Sequence, residues 1–261
     1  MRMIGYRLTL VVATTICLIV GCGRIPSESP LASAPTTSAS ASAADTSATP
    51  HLTDSGASPH GGASGASPQA ETTTCEYVEM GSAARPVKPP SATGVPTSGT
   101  VTYVLEMTNG ALRLTLDRVK APCTVHSFES LADQGFFTRT KCPRLVDKTF
   151  FILQCGDPTG TGNGGPGYTF VDETDGTESY ISGVVAMASS GSNTNGSQFF
   201  LVWDDSTTLD GNAGATIFGR MDAKSRDVVA SMAAEGQDGT NRRGGGKPNN
   251  PSEILSVTRA S

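Results

Sequence analysis

The sequence predicts a mainly β fold, a closed antiparallel barrel with two helices, set behind a long segment that has no core of its own. Three observations carry this expectation. From residue 99 onward, short apolar runs alternate with Gly-rich turns. Only two stretches of that part repeat apolar side chains at helical spacing. Ahead of it, residues 22–74 are dominated by Ser, Ala, Thr, Gly and Pro, with Leu31 and Leu52 almost alone as large apolar side chains.

Residues 1–21 read as an export signal. Arg2 and Arg7 bracket a positive start, and Leu8 to Val20 is apolar. That run is shorter than the about 20 residues a bilayer span needs, and it suits the hydrophobic region of a secretory signal. Ile19-Val20-Gly21-Cys22 resembles a bacterial lipobox, which implies cleavage before Cys22 and acylation of its thiol. The chain is then expected on the extracytoplasmic face of the bacterial cell membrane, held by a lipid anchor at Cys22. Twin Arg is absent, which favours the general secretion route. Residues 22–74 cannot bury enough surface to offset their ordering entropy and are expected as a disordered tether. A flexible chain of that length reaches on the order of 40 Å. Residues 75–98 form a Pro-rich connector with Cys75 and Tyr77, part of which can pack on the domain that follows.

The domain spans residues 99–261. Thr102 to Met107 and Ala111 to Leu116 flank Asn109-Gly110, an Asn-Gly turn signal between alternating strands. Ala121-Pro122 opens a helix with Val125, Phe128, Leu131 and Ala132 at helical spacing, and Gly135 ends it. Phe150 to Gln154 reads as a strand. Gly183 to Ala188 and Gln198 to Val202 are continuous apolar runs, suited to strands buried on both sides. Ala223 to Ala234 is the second helix, and Glu253 to Val257 the closing strand.

Composition excludes several classes. The formal net charge is -5 and charged residues make up 16%, so no strong field points to nucleic acid, and Arg242-Arg243 is only a pair. Three His occur: His51 and His60 fall in the tether, and His126 is expected on the solvent side of the first helix. This argues against a Ser-His-Asp hydrolase or a His-ligated metal enzyme. Of the six Cys, Cys17 leaves with the signal and Cys22 takes the lipid. Cys75, Cys123, Cys142 and Cys155 remain, an even number suited to disulfides in an exported protein. The favoured pairing joins Cys123 to Cys142 and Cys75 to Cys155, with all three pairings open. Zinc is not expected, since no C-x₂-C spacing exists. Gly160 to Gly167 holds five Gly in eight residues but lacks the Gly-Lys-Ser/Thr of a phosphate loop, and reads as a long mobile loop. Asp172 to Gly176 reads as a solvated acidic turn.

Arg144 and Gln154 remain, two polar residues among apolar ones. They are either surface residues of strands or a guanidinium and an amide at the rim of a pocket made by Phe151, Ile152, Phe200 and Leu209. Pro143-Arg144, the run Phe151 to Gly162, Asn193 to Phe200, Leu209-Asp210-Gly211 and Phe218-Gly219-Arg220 together resemble the cyclophilin signature, in order and across nearly the whole domain. The resemblance implies an eight-stranded antiparallel barrel capped by two helices, and peptidyl-prolyl cis-trans isomerase activity without cofactor or metal. It places Arg144 on the catalytic arginine, with Phe151 and Gln154 beside it. It places Phe151, Ile152, Phe200 and Leu209 on the proline pocket, Gln198 next to Gln154, and Ala188 and Ser189 on the pair whose backbone holds an extended peptide. The implied partners are proline-containing peptides and exported proteins as they fold, met by a monomer. A peptide-binding or chaperone module without turnover is the competing reading. Three departures from the family pattern stand out: Cys142-Pro143 replaces Phe-His, Thr208 stands where many members have Trp, and Ala215 where His is usual.

Overall fold

A computed structural model describes residues 71–261. The expected signal, Cys22 and the tether as far as residue 70 lie outside the described residues. The chain enters on three two-residue strands: β1 (Thr72–Thr73), β2 (Val78–Glu79) and β3 (Val95–Pro96). β1 pairs with β3, so strand pairing begins inside the stretch expected as tether.

β4 (Thr100–Met107) and β5 (Gly110–Asp117) form the expected hairpin. Val101, Tyr103, Leu105 and Met107 of β4 and Leu112, Leu114 and Leu116 of β5 are buried, and the residues between them face outward, as a period of two requires. The turn differs from the expected one. Met107 pairs with Gly110, so the two loop residues are Thr108 and Asn109, and only Gly110 takes a positive φ, of 133°. Asn109 serves through its side chain, whose Nδ2 donates to Asn250 Oδ1 at 2.7 Å.

α1 (Pro122–Asp133) follows, with Val125, Phe128, Leu131 and Ala132 on its buried face. Pro122 costs nothing at the first turn, where its missing N–H has no helical partner. The N-cap residue Ala121 provides no side-chain cap. Glu173 does so from a distance: its carboxylate accepts from the N–H groups of Cys123 (2.9 Å) and Thr124 (2.8 Å). The acidic turn is therefore not simply solvated; one of its carboxylates ends a helix.

Then come β6 (Thr140–Lys141), β7 (Arg144–Lys148), β8 (Phe150–Cys155), β9 (Tyr168–Thr169), β10 (Val184–Met187), β11 (Phe199–Val202), β12 (Ile217–Met221), α2 (Ala223–Ala233) and β13 (Glu253–Arg259). Asp222 caps α2 by accepting from Ser225 N at 2.8 Å. Nine strands make one antiparallel sheet in the order β6-β13-β4-β5-β12-β10-β11-β8-β7. The expected closed eight-stranded barrel is thus a curled nine-stranded sheet whose two edges, β6 and β7, share no ladder. Those edges are successive pieces of one segment, parted only by Cys142-Pro143. Pro143 has no N–H to give to a ladder, which splits the segment into one piece paired with β13 and another paired with β8.

β10 and β11 are buried along their whole length. Phe199 and Leu201 join the main core with Tyr103, Leu114, Phe128 and Phe218. Phe200 and Val202 point the other way, into a smaller cluster with Ile152, Tyr180, Val184 and Ile217. The functional groove lies over that smaller cluster.

The connector packs on the domain. β2 pairs with β9, Tyr77 donates its hydroxyl to Cys123 O (2.9 Å), and Arg85 Nη1 donates to the carbonyls of Gly135, Phe136 and Thr138 (2.8, 2.8 and 2.7 Å). This corrects the expectation for His126: it is half-buried under this arm, its Nε2 3.1 Å from Ser91 O. The disulfides are Cys75–Cys123 and Cys142–Cys155, so all four domain cysteines are bonded but the favoured pairing is replaced. Cys142 lies just before β7 and Cys155 ends β8, so the hairpin itself brings them together, with Cα atoms 4.1 Å apart. Cys75 then meets the start of α1 because the arm runs across it. Among the described residues no helix is long and apolar enough to cross a membrane.

Candidate functional site

Strand register builds the site. Arg144 of β7 faces Gln154 of β8, and Gln154 faces Phe200 of β11. Directly paired residues present their side chains to the same face of a sheet, so a guanidinium, an amide and a phenyl ring form one row across three strands. The next row holds Ile152, paired with Val146 and Val202. The row after that holds Phe150, and the Arg144 Cζ lies 5.9 Å from its ring centroid.

Phe151 does not line this groove. It is one residue out of phase with Gln154 and Ile152, and its ring packs edge-on against Trp203 at 5.0 Å. Phe151 is the residue expected at the pocket; in the structure Phe150 borders the groove and Phe151 packs on Trp203, because alternate residues of a strand face opposite sides. The signal was present: counting back from Gln154 in steps of two reaches Ile152 and Phe150. Accordingly, Phe150→Ala is expected to lower turnover several-fold, while Phe151→Ala, which removes the packing against Trp203, lowers thermal stability more than turnover. Steady-state kinetics with thermal melts of both variants check this, and equal kinetic losses would reject the assignment.

The groove has a volume of about 610 Å³. Ile152, Phe200, Leu209 and Ala215 make its apolar end, Leu209 arriving on a short 3₁₀ turn, Thr207–Leu209. Ala215 is 8% exposed, and a compact methyl there leaves this end bare of polar groups. Behind it, Tyr180 closes the wall. Its hydroxyl accepts from Ala215 N (2.9 Å) and donates to Ala215 O (2.8 Å), and its ring lies 6.0 Å from that of Phe200. Burial pushes the Tyr180 phenol up to about 12, so it stays neutral. Thr208 reaches away and donates to Thr149 O at 2.8 Å. Ala188 and Ser189 border the groove, Ser189 exposed. Ala188 donates its N–H to Gln198 O at 2.9 Å, so a peptide hydrogen bond from this pair falls to the Ala188 carbonyl or to Ser189.

Arg144 is held from behind. Its Nε donates to Gly244 O at 2.9 Å and its Nη2 to Arg243 O at 2.8 Å, while Nη1 lies 3.4 Å from Gln154 Oε1. Burial, then the neighbouring Arg243 charge, pulls the guanidinium below its usual value. It remains a cation in water near neutrality, with further N–H groups to offer. Gln154 Nε2 donates to Gln198 Oε1 (2.7 Å), and Gln198 Nε2 donates to Gly164 O (2.8 Å). Arg144, Gln154 and Gln198 therefore form one polar chain that ends on the Gly-rich loop.

That loop is stitched down rather than free. Buried Asp157 accepts from the N–H groups of Thr159 (2.7 Å), Thr161 (3.1 Å), Gly162 (2.7 Å) and Asn163 (3.1 Å). Sequence reasoning missed this residue, although an Asp followed by Thr and Gly at short spacing is the pattern of a side chain folding its own backbone. Burial works against the charged carboxyl, but hydrogen bonds from Thr159, Gly164 and Gly162 outweigh it and leave Asp157 below the ordinary carboxylate range. A depressed folded value means a contribution that is complete above the unfolded value, about 3.9, and is lost as pH falls through the folded one. An acid titration is expected to disorder the loop below that range, read at the Gly162 and Asn163 amides. Asp157→Asn is expected to abolish the step; an identical acid transition in that variant would refute the assignment.

Among the described residues no group of three or more His, Cys, Asp or Glu gathers around a possible metal position. The acidic side chains near Lys120 are engaged elsewhere: the Asp172 carboxylate accepts from Asn193 N and Asn195 Nδ2, and that of Glu178 from the Asp175 and Gly176 N–H groups.

Comparison with known proteins gives consistent matches. The family model described as cyclophilin type peptidyl-prolyl cis-trans isomerase/CLD matches residues 102–259. The chain is 42% identical over 186 residues to a probable peptidyl-prolyl cis-trans isomerase B of Mycobacterium leprae, covering 64% of this chain and 63% of that one. It is 39% identical over 199 residues to a protein of the same description from Mycobacterium tuberculosis, covering 70% and 62%. The match thus spans less than two thirds of the length of these relatives. Among solved structures, a cyclophilin type peptidyl-prolyl cis-trans isomerase of Cryptosporidium parvum is similar, with a TM-score of 0.54, 29% identity, and coverage of 62% of this chain and 99% of that one. A second crystal structure of it, in the presence of the dipeptide Ala-Pro, superposes with a TM-score of 0.53.

Proposed function

The chain belongs to the cyclophilin-type peptidyl-prolyl cis-trans isomerase family, and we propose that it accelerates rotation about X–Pro bonds in polypeptides bound along this groove. The barrier to be lowered is about 18–20 kcal/mol and comes from amide resonance. No covalent bond has to form or break. The catalyst must bind the twisted amide better than either planar form. As the bond twists, the prolyl nitrogen pyramidalises and gains a lone pair. Arg144, its position set by two loop carbonyls, can donate to that lone pair or to the adjacent carbonyl. Phe150, Ile152, Phe200 and Leu209 hold the proline ring still while the preceding group turns. The reading rests on one observation: a fixed guanidinium at the rim of an apolar niche, in register with Gln154 and Phe200. A protease-coupled isomerisation assay on the purified chain tests it. Acceleration over the thermal rate is expected; peptide binding without acceleration would leave a binding module in its place.

The same proposal treats β6 and β7 as two halves of one interrupted strand, which turns nine strands into an eight-stranded closed barrel; the two-residue gap between them supports it. It also takes the protein to act on exported chains outside the cytoplasm, as a monomer on a lipid anchor at Cys22. The lipobox-like run and two disulfides, which persist in oxidising compartments, support that setting. Mass spectrometry of the mature N-terminus tests the anchor.

A further inference from the structure

The family match begins at residue 102, yet the groove does not end where the family domain does. Met80, Gly81 and Ser82 line it, continuous with Arg144 and Gln154. They belong to the arm that the Cys75–Cys123 disulfide ties to α1. The arm is built into the wall. β2 pairs with β9, Met80 N donates to Gly167 O at 2.9 Å, and Ala84 N donates to Gly165 O at 2.8 Å. Gly167 is needed for this: its φ is +81°, and a Cβ there would lie 2.9 Å from Ala83 N. The arm and the Gly-rich loop therefore meet backbone to backbone, and the loop also carries the carbonyl that holds Gln198.

We propose that residues 80–82 are a substrate-selecting wall of the groove, in which Met80 favours polypeptides with an apolar side chain near the prolyl bond. This rests on the isomerase reading of the same groove. Two observations set the chemistry. Met80, which follows β2 and lines the groove, is 61% exposed, an apolar side chain that folding leaves uncovered there. The groove-lining residues of the arm and of the loop it is bonded to, Gly81, Ser82, Gly165 and Pro166, carry no charge, and Glu79, beside Met80 in the chain, is not part of the lining; the charged lining residues are Arg144 and Arg243. A charged side chain entering the uncharged part would lose hydration without finding a partner. An apolar one loses nothing and gains contact with a thioether that adapts to its shape.

The test uses the full chain and a set of peptides sharing one Ala-Pro centre, each with Leu or Asp at a single flanking position. Turnover is read by NMR exchange and affinity by calorimetry. At the position that reaches Met80, the wild type is expected to prefer Leu about fivefold in kcat/KM, carried by KM. Met80→Ser is expected to abolish the preference and Met80→Leu to retain it. A wild type that turns over peptides with the same Leu preference in Met80→Ser overturns the inference and leaves the isomerase reading intact. A wild type without turnover overturns that reading instead. The calorimetric Leu preference then still decides the role of Met80: its loss in Met80→Ser supports the selecting wall, and its persistence overturns it.

Discussion

Arg144→Ala is expected to lower kcat/KM for X–Pro isomerisation about a hundredfold or more, with the domain still folded. The size follows from what the group does. A donor fixed in advance costs no reorganisation when charge develops on the prolyl nitrogen, and the apolar niche beside it weakens competition from water. Arg144 is half-buried at the sheet edge and its partners are two loop carbonyls, so removal leaves no buried charge unpaired. Circular dichroism and the melting temperature should therefore change little. Arg144→Lys is not expected to restore activity, since an ammonium cannot hold the Arg243 and Gly244 carbonyls in a planar fork and still present a donor to the groove. Turnover within a fewfold of wild type in the alanine variant would remove Arg144 from the mechanism. So would a loss matched by unfolding.

The largest effect on stability is expected from Cys75→Ser combined with Cys123→Ser. The two residues are 48 apart in sequence. Loop-closure entropy for such a span amounts to about 4 kcal/mol, against about 3 for Cys142–Cys155 with its separation of 13. For a domain of this size, about 4 kcal/mol corresponds to a fall in Tm of roughly 8–16 °C. The two bridges also differ in what they hold. Cys142–Cys155 ties a hairpin already closed by the β7–β8 ladder. Cys75–Cys123 holds an arm whose other ties are one short strand pair with β9, the Met80–Gly167 and Ala84–Gly165 backbone bonds, and contacts of Tyr77, Arg85, Lys88 and Ser91 with α1 and the turn after it. The double variant is expected to expose the arm to proteolysis near Val78 before the sheet melts. Calorimetry under non-reducing conditions and limited proteolysis measure both, and a Tm within about 2 °C of wild type would show that the arm's own contacts suffice.

The two helices were legible because each carries its signal locally. Pro122 starts α1, Gly135 follows its end with a φ of +70°, and Val125, Phe128 and Leu131 mark one face. The strands β8, β10, β11 and β13 were legible for the same reason, whereas β7 and β12 were not read. The hairpin turn was legible in place but not in form, since Asn-Gly sets where a chain can reverse while the β4–β5 register sets which two residues stand in the loop. At the site, Arg144, Gln154 and Phe200 fell into one row with Ile152 in the next, whereas Phe151 and Phe150 are adjacent phenylalanines that only the phase of the strand separates. Asp157 went unread although Thr159 and Gly160 follow it at a suggestive spacing, because most of its partners are backbone N–H groups, which have no letter in a sequence.

What the sequence by itself determined is the two helices, the β4–β5 hairpin, the strands β8, β10, β11 and β13 and the residue types of the groove, because strand and helix periodicity and turn chemistry are properties of neighbours along the chain. The tertiary structure alone decided which cysteines join, how β6 and β7 divide one segment around Pro143, and that the arm before the family domain supplies a wall of the groove. Those outcomes depend on which distant surfaces bury one another. Met80 meets Gly167 and Cys75 meets Cys123 across long stretches of chain, and no local spacing encodes such meetings.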